Sequence, residues 1–209
     1  MIAGTVYGVV LNDAAERGLL ADAFTQAPYR APPIAPVLYI KPRNCITRDD
    51  SIIAPDGLAE VSAAATIGLV MGRDTTRVTP DRALDHVAAA ALVLDLSEPV
   101  TSYYRPTVRQ RCRDGFLPVG AITSFHAAQL AGDIVTRIDG ADAHRWSPSR
   151  AVRDAARLIA DVSAFMTLAA GDMLLIGLPH DAPRARAGQR IEASMAGLSP
   201  VRVTWGGQG

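Results

Sequence analysis

Short runs of apolar residues lie near both ends of the chain, and these runs predict strands. Each is rich in valine, isoleucine, leucine or methionine and is bounded by glycine, proline or a polar turn. The run at 65–72 (ATIGLVMG) is apolar almost throughout, which indicates a strand buried on both faces. The last two runs are separated by residues 197–199 and predict a hairpin. The predicted strands are 4–11, 37–41, 65–72, 173–177, 189–196 and 200–205.

The segments between these strands predict two helices. The first begins at Thr79-Pro80-Asp81, which combines a cap, a proline and an acidic first turn, and it continues through residue 94. The second begins at Ser147-Pro148 and carries an apolar face at spacings of three and four, from residue 152 to residue 166. Because strands dominate both ends and no βαβ unit repeats, the pattern favours a single α+β domain over residues 1–209.

Composition and charge exclude several classes of partner. The chain has 209 residues, is 49% hydrophobic and has a formal net charge of zero, with no basic stripe along any segment. A nucleic-acid or anionic-membrane surface is therefore not expected. No apolar run approaches the ~20 residues of a membrane helix, and the N-terminus does not resemble a signal peptide. Cys45 and Cys112 have no metal-site spacing and are interpreted as free thiols. We expect a cytoplasmic protein.

The usual catalytic signatures are missing from the sequence. There is no phosphate loop, no GxGxxG, no GxSxG and no HExxH motif. The histidines are scattered, so each is interpreted as a surface or hydrogen-bonded residue rather than a metal ligand; they are His86, His126, His144 and His180. Lys41 is the only lysine, and it ends a predicted strand. Taken singly, Lys41 reads as a surface cation and Asp95 as a cap.

The order of several short motifs along the chain changes this interpretation. They are YIKPRN (39–44), YYRP (103–106), CRDGFLPVG (112–120) and TLAAGDMLLIGLP (167–179). In this order they resemble the fumarylacetoacetate hydrolase family, and the resemblance covers nearly the whole chain. It implies a β-rich roll with few flanking helices. Within the family the chain is most similar to the N-terminal half of the two-half enzymes that isomerise and decarboxylate ring-opened dicarboxylates and tricarboxylates. Such halves are fused or separate, which implies a homodimer or a heterodimer with the C-terminal-half subunit.

The same resemblance implies metal chemistry that this chain has lost. Family members hold Mg²⁺ or Mn²⁺ through two glutamates that alternate on one strand and an aspartate from a later strand. The matching positions are Ala64, Thr66 and Asp95, so Asp95 is the sole retained ligand position. Glu60 faces the same side but lies ~13 Å from Ala64 along a strand. We expect no metal or other cofactor on this chain, and Mg²⁺ or Mn²⁺ in the presumed partner subunit.

Other family positions have changed as well. A histidine–glutamate pair that transfers protons in active members matches Glu16 and Leu19 here. Lys41 matches the family's strand lysine, and Arg111 replaces a lysine before the RDG loop, so both are candidates for anion binding. No residue is predicted as catalytic. Three functions stay open: an inactive component of the isomerase/decarboxylase, an independently active and metal-free member, and a hydrolase of acylpyruvates.

Overall fold

The computed structural model describes residues 2–48, 51–52, 54–55, 57–99 and 107–206. The strands are β1 (Val6–Val10), β2 (Val37–Lys41), β3 (Ile46–Thr47), β4 (Ser51–Ile52), β5 (Glu60–Met71), β6 (Val87–Ser97), β7 (Leu117–Pro118), β8 (Thr123–Ser124), β9 (Ile134–Ile138), β10 (Ala141–Trp146), β11 (Met173–Leu175), β12 (Arg184–Arg186), β13 (Arg190–Met195) and β14 (Leu198–Trp205). The α-helices are α1 (Ala14–Leu19), α2 (Ala21–Phe24), α3 (Pro80–Ala83), α4 (Val108–Arg111) and α5 (Ala155–Ser163). The predicted α+β class, a β-rich roll with few helices, is confirmed.

Two sheets form the body of the fold. The larger follows the order β2-β1-β11-β5-β6-β8, with β12 also paired to β5, and the smaller follows β10-β9-β13-β14-β4. Alternate residues of β5 and β6, such as Ile67, Leu69 and Leu92, are fully buried in one hydrophobic core with Ile191 and Val203 of the smaller sheet. Burial of these inward faces is the main force that holds the sheets together. The opposite face of β5 and β6 carries the candidate site.

The larger sheet curls strongly. β2 and β6 are four strands apart in the sheet order, which in a flat sheet is a separation of ~19 Å. Nevertheless Lys41 at the end of β2 has its ammonium nitrogen 3.0 Å from the carboxylate of Asp95 on β6. A lysine side chain cannot cross the flat distance, so the sheet rolls until its first and fifth strands face each other. The roll therefore builds the candidate site from strands distant in order.

The helix predicted from residue 79 to residue 94 is wrong after its first turns. Pro80–Ala83 is helical and Leu84–His86 continues as a short 3₁₀ turn, but Val87–Ser97 is the strand β6. β6 lies between β5 and β8, and both of its faces are buried, so its sequence shows no period of two. A run of alanines and leucines buried on all sides fits a helix and a central strand equally well, and only the pairing decides.

Two further segments differ from expectation. The second helix begins at the Asp154 cap rather than at Ser147, since the Asp154 carboxylate accepts the backbone N–H of Arg157; Pro148–Arg150 is a separate 3₁₀ turn. The hairpin of β9 and β10 was not predicted, because β10 is exposed along most of its length and lacks an apolar face.

The six predicted strands are confirmed, and the hairpin of β13 and β14 turns at Ala196 and Gly197. The YYRP motif lies outside the described residues. Within the described ranges, no helix is long and apolar enough to cross a bilayer.

Candidate functional site

The structure brings three of the predicted residues into one buried cluster. Asp95 accepts from Lys41, whose Nζ lies 3.0 Å from Oδ1, and from Arg111, whose Nη1 lies 3.3 Å from the same oxygen. The side chains of Lys41 and Asp95 are completely buried, and that of Arg111 is 7% exposed. The Asp95 carboxylate therefore lies between the two buried cationic side chains of Lys41 and Arg111 inside the roll.

The pairing of β5 with β6 places the two substituted positions beside Asp95. Ala64 is the direct partner of Asp95 in the antiparallel register, and Thr66 is the partner of Val93. The alternation of side chains points Ala64 and Thr66 to the Asp95 face. Thr66 donates its hydroxyl to the carbonyl of Gly177 at 2.5 Å. A methyl group and a hydroxyl committed to the backbone thus occupy the positions where the family resemblance places carboxylates.

Lys41 is held on every side. Its ammonium donates to the carbonyls of Leu96 and Arg111, both at 2.7 Å, and to that of Phe116 at 3.0 Å, in addition to its contact with Asp95. The three N–H groups of the Lys41 ammonium are therefore surrounded by four protein oxygen atoms, three carbonyls and the carboxylate of Asp95. Burial lowers the pKa of Lys41, and the neighbouring Asp95 carboxylate opposes this shift without cancelling it.

Tyr39 is a site residue that the sequence reasoning missed. Its hydroxyl donates to Oδ2 of Asp95, and the guanidinium of Arg111 lies 4.8 Å from the centroid of its ring. Tyr39 precedes Lys41 by two residues on β2, so both side chains leave the same face of the strand. That spacing was readable from the sequence, but the partner was not, since Asp95 reaches Tyr39 only through the curl of the sheet.

A small cavity opens beside this cluster. Its volume is about 70 Å³, well below the roughly 300–1,000 Å³ of common small-molecule sites. Polar groups in its wall belong to Glu16, Ser62, Ser97, Arg111 and His180. Of the two positions that match the family's proton-transfer pair, Glu16 is buried in this wall, whereas Leu19 is 74% exposed. Lys41 and Asp95 do not line the cavity.

A second polar cluster adjoins the cavity through His180. One guanidinium nitrogen of Arg150 lies 2.8 Å from Oδ2 of Asp13, 2.9 Å from Oδ1 of Asp181 and 3.0 Å from Nδ1 of His180. His144 also contacts Asp181, at 3.1 Å. Folding therefore brings His144 to an aspartate that already has His180 as its neighbour in the sequence. Burial would raise the pKa of Asp181, but the hydrogen bond from Arg150, a backbone hydrogen bond and the charges of His144 and Arg150 lower it to about 2.

Asp13, His180 and Asp181 are the one group within the described part of the chain whose donor atoms lie close enough together to hold a metal ion. The guanidinium of Arg150 occupies the space between these donors. The positive charge that the two carboxylates need is thus already supplied by the protein. Asp95 belongs to no such group among the residues described.

Replacing Arg150 with methionine is expected to lower the free energy of unfolding by about 2 kcal/mol at pH 7, because the fully buried Asp13 carboxylate loses its cation. The difference from wild type should shrink as the pH falls from ~4 towards 2, since the low folded-state pKa of Asp181 stabilises the protein above its unfolded pKa and no longer does so once both states are protonated. Urea unfolding followed by tryptophan fluorescence measures the loss of stability at pH 7 and its change with pH.

Arg157→Met, which removes a largely exposed cation from Asp161, is the matched control. Equal losses in the two variants would show that Asp13 does not depend on Arg150.

Comparison with known proteins agrees with this architecture. Residues 5–204 match the family model described as "Fumarylacetoacetate (FAA) hydrolase C-terminal". The chain belongs to the fumarylacetoacetate hydrolase family. The predicted resemblance is confirmed, and it extends over nearly all of the described residues.

Relatives within the fumarylacetoacetate hydrolase family include the 4-hydroxyphenylacetate degradation bifunctional isomerase/decarboxylase of Salmonella dublin. The identity is 36% over 196 residues, which cover 93% of this chain but 45% of that protein. The corresponding Escherichia coli protein is 35% identical, over 95% of this chain and 46% of its own length. The chain thus spans about half the length of these relatives.

The fold recurs in solved structures at lower sequence identity. A fumarylpyruvate hydrolase from Pseudomonas aeruginosa, in complex with Mn²⁺ and pyruvate, has a TM-score of 0.79 and 22% identity, with 97% of this chain and 89% of that chain covered. At this identity the likeness concerns the fold alone. It shows that a fumarylacetoacetate hydrolase fold of this shape holds Mn²⁺ in that protein.

Proposed function

We propose that this chain is a non-catalytic component of an isomerase/decarboxylase of 4-hydroxyphenylacetate breakdown. The activities concerned are 2-hydroxyhepta-2,4-diene-1,7-dioate isomerisation and 5-oxopent-3-ene-1,2,5-tricarboxylate decarboxylation. Its relationship at 36% identity to one half of a bifunctional enzyme of that pathway supports this assignment. In this proposal the Mg²⁺ or Mn²⁺ ion is held by the other half, supplied as a separate subunit.

The observation that carries the proposal is the neutralisation of Asp95 by side chains. A divalent cation such as Mn²⁺ needs several oxygen ligands with available lone pairs. Oδ1 of Asp95 already faces Lys41 and Arg111 at 3.0 and 3.3 Å, and Oδ2 accepts from Tyr39. The two side-chain cations equal the charge of one divalent ion. A metal at this place would meet one engaged carboxylate and two like charges, so the residues present do not fit it.

Lys41 and Arg111 take different parts in this arrangement. Because all the donors of Lys41 are directed at protein oxygens, we assign it to charge balance inside the roll and not to ligand binding. Arg111 reaches the wall of the small cavity and keeps the capacity to bind an anion there. A cavity of about 70 Å³ does not admit a whole tricarboxylate substrate, which favours a structural role for this half.

The contribution of such a chain is stability or an interface for the active half. Several large apolar side chains are exposed, including Ile34 at 94%, Leu19 at 74% and Phe165 at 61%. Exposed apolar groups of this size are common at protein contacts when they cluster. We propose that the chain forms a homodimer, or a pseudo-symmetric heterodimer with the C-terminal-half subunit.

Turnover of the purified chain tests the proposal directly. Each ring-opened intermediate is supplied with Mn²⁺, first to this chain alone and then after addition of the C-terminal-half subunit. We expect no metal-dependent turnover by the chain alone and clear turnover in the mixture. Metal-dependent turnover by the chain alone that disappears in Asp95→Asn would overturn the proposal in favour of an independent enzyme. Turnover without added metal would favour the metal-free alternative.

Calorimetric titration with Mn²⁺ separates the two acidic clusters. Wild type is expected to show no saturable site that depends on Asp95, so the isotherms of wild type and Asp95→Asn should coincide. Asp181→Asn serves as the matched variant for the second cluster, because Asp13 and Asp181 would be able to bind Mn²⁺ there if the Arg150 side chain moved out of its place between them. A micromolar site lost in Asp95→Asn and retained in Asp181→Asn would contradict the proposal.

A further inference from the structure

The two cysteines are 67 positions apart in the sequence, but the fold brings their two chain segments into contact. Sγ of Cys45 is 3.9 Å from the carbonyl oxygen of Arg111, which belongs to the peptide that leads into Cys112. The side-chain amide of Asn44 donates to the carbonyl of Cys112 at 3.1 Å. Two short segments are therefore tied together at the positions of both thiols. The Cys112 thiol in turn donates to the carbonyl of Ile40 at 3.4 Å, on the strand that leads into the turn before Cys45.

The two thiols differ in their access to solvent. Cys45 is fully buried, whereas Cys112 is partly exposed. Cys112 also lines an open cavity of about 740 Å³ on the surface of the protein. A small dissolved reagent therefore reaches Cys112 before it reaches Cys45. An accessible thiol with a second thiol nearby is one of the features of oxidation sites that close to a disulfide.

We propose that Cys45 and Cys112 form an oxidation site that closes to an intramolecular disulfide when the protein meets a peroxide. The Cys112 thiolate attacks one peroxide oxygen; the O–O bond breaks, hydroxide leaves and takes up a proton, and Cys112 becomes a sulfenic acid. The Cys45 thiolate then attacks that sulfur, the S–S bond forms as the S–O bond breaks, and the departing hydroxide takes up a proton to become a second water. In total the two thiols give up two protons and two electrons, and one hydrogen peroxide becomes two waters. A dithiol reductant reverses the reaction.

The protein environment makes this reaction slow at neutral pH. Burial raises the pKa of Cys45 to about 12 and also raises that of Cys112, in each case against a smaller lowering by Lys41. Since the thiolate is the reactive form, its population at pH 7 is small and grows about tenfold for each pH unit below the pKa. Disulfide formation is expected to accelerate accordingly between about pH 7 and pH 9.

The proposed Cys45–Cys112 disulfide lies next to the buried cluster of Lys41, Asp95 and Arg111. The carbonyl of Arg111, beside the Cys45 thiol, also accepts a hydrogen bond from Lys41 at 2.7 Å. A disulfide at Cys112 holds this carbonyl in place and closes a long loop of chain, which restricts the unfolded state. The oxidised protein is therefore expected to melt roughly 5–10 °C above the reduced protein.

Peptide mapping of the wild-type chain after treatment with hydrogen peroxide tests the site without any variant. We expect one intrachain peptide pair linked through Cys45 and Cys112, a fall in free thiols from two to none per unfolded chain, and recovery of both with dithiothreitol. Cys112 converted to sulfinic acid while Cys45 stays a free thiol would overturn the proposal. So would a disulfide that forms only between chains, or two thiols that survive at about pH 9.

Serine variants identify the role of each thiol. In Cys45→Ser, Cys112 is expected to accumulate as a sulfenic acid that dimedone traps, because its resolving partner is missing. In Cys112→Ser, Cys45 should remain a thiol, because it is buried. The melting shift with peroxide should occur in wild type and be absent from both variants. Rapid oxidation of Cys45 in Cys112→Ser, or a melting shift of equal size in either variant, would contradict the proposed order of events.

Discussion

Replacing Asp95 with alanine is expected to lower the free energy of unfolding by about 3–5 kcal/mol at neutral pH. The carboxylate is fully buried and lies between Lys41 and Arg111, 3.0 and 3.3 Å from their charged nitrogens. Its removal leaves two cations in the interior without their counter-charge and Tyr39 without its acceptor. Urea unfolding followed by circular dichroism measures the loss. In a family member where this aspartate serves mainly to hold a metal, the same change would chiefly weaken metal binding.

Two further variants show whether the loss comes from the buried charge. Asp85→Ala removes a carboxylate from the exposed pair with Arg82 and is expected to cost less than about 1 kcal/mol. Adding Lys41→Met to Asp95→Ala should recover part of the stability, because one of the two unpaired cations is gone. Recovery should be incomplete, since three carbonyls lose their donor. If Asp95→Ala costs no more than Asp85→Ala, the carboxylate is not the counter-ion that we describe.

Replacing Gly8 with alanine is expected to lower the free energy of unfolding by about 2–4 kcal/mol. Gly8 on β1 is the direct strand partner of Tyr39 on β2, and a methyl group at Gly8 would lie 2.0 Å from the Tyr39 ring and 2.3 Å from its hydroxyl oxygen. The ring must move, which withdraws its hydroxyl from Asp95 and its face from Arg111. Thermal and urea unfolding measure the result.

Gly18→Ala is the matched control for this change. Gly18 lies within α1, and nothing is within 4 Å of the position that its methyl group would occupy. Alanine there should leave stability unchanged or raise it by up to about 1 kcal/mol, because it favours the helix and restricts the unfolded chain. Tyr39→Phe isolates the hydroxyl contribution and should cost less than Gly8→Ala. A neutral Gly8→Ala variant would mean that the ring of Tyr39 has room to move without leaving Asp95.

Features that depend on neighbours in sequence were predictable. The hairpin of β13 and β14 follows from alternating residues on either side of Gly197, and the fully buried strand at 65–72 follows from its unbroken apolar run. The family resemblance named Asp95 as a metal-ligand position and Lys41 and Arg111 as anion-binding candidates, and folding brings the three side chains together. The strand and the hairpin need only a period or a turn within one segment, whereas the site residues followed from the order of motifs along nearly the whole chain.

Features that depend on which segments meet were decided by the tertiary structure. Val87–Ser97 became a strand because β5 and β8 pair with it on both sides, although its alanines and leucines also suit a helix. Tyr39 became a partner of Asp95 through the curl of the sheet, and folding brought the Cys45 thiol to the carbonyl of Arg111, the residue before Cys112. Burial on both faces erases the periodicity that a sequence shows, and contacts between distant segments leave no local pattern. For this protein, the sequence determined six of the strands and the family, while the roll of the sheet determined which side chains surround Asp95.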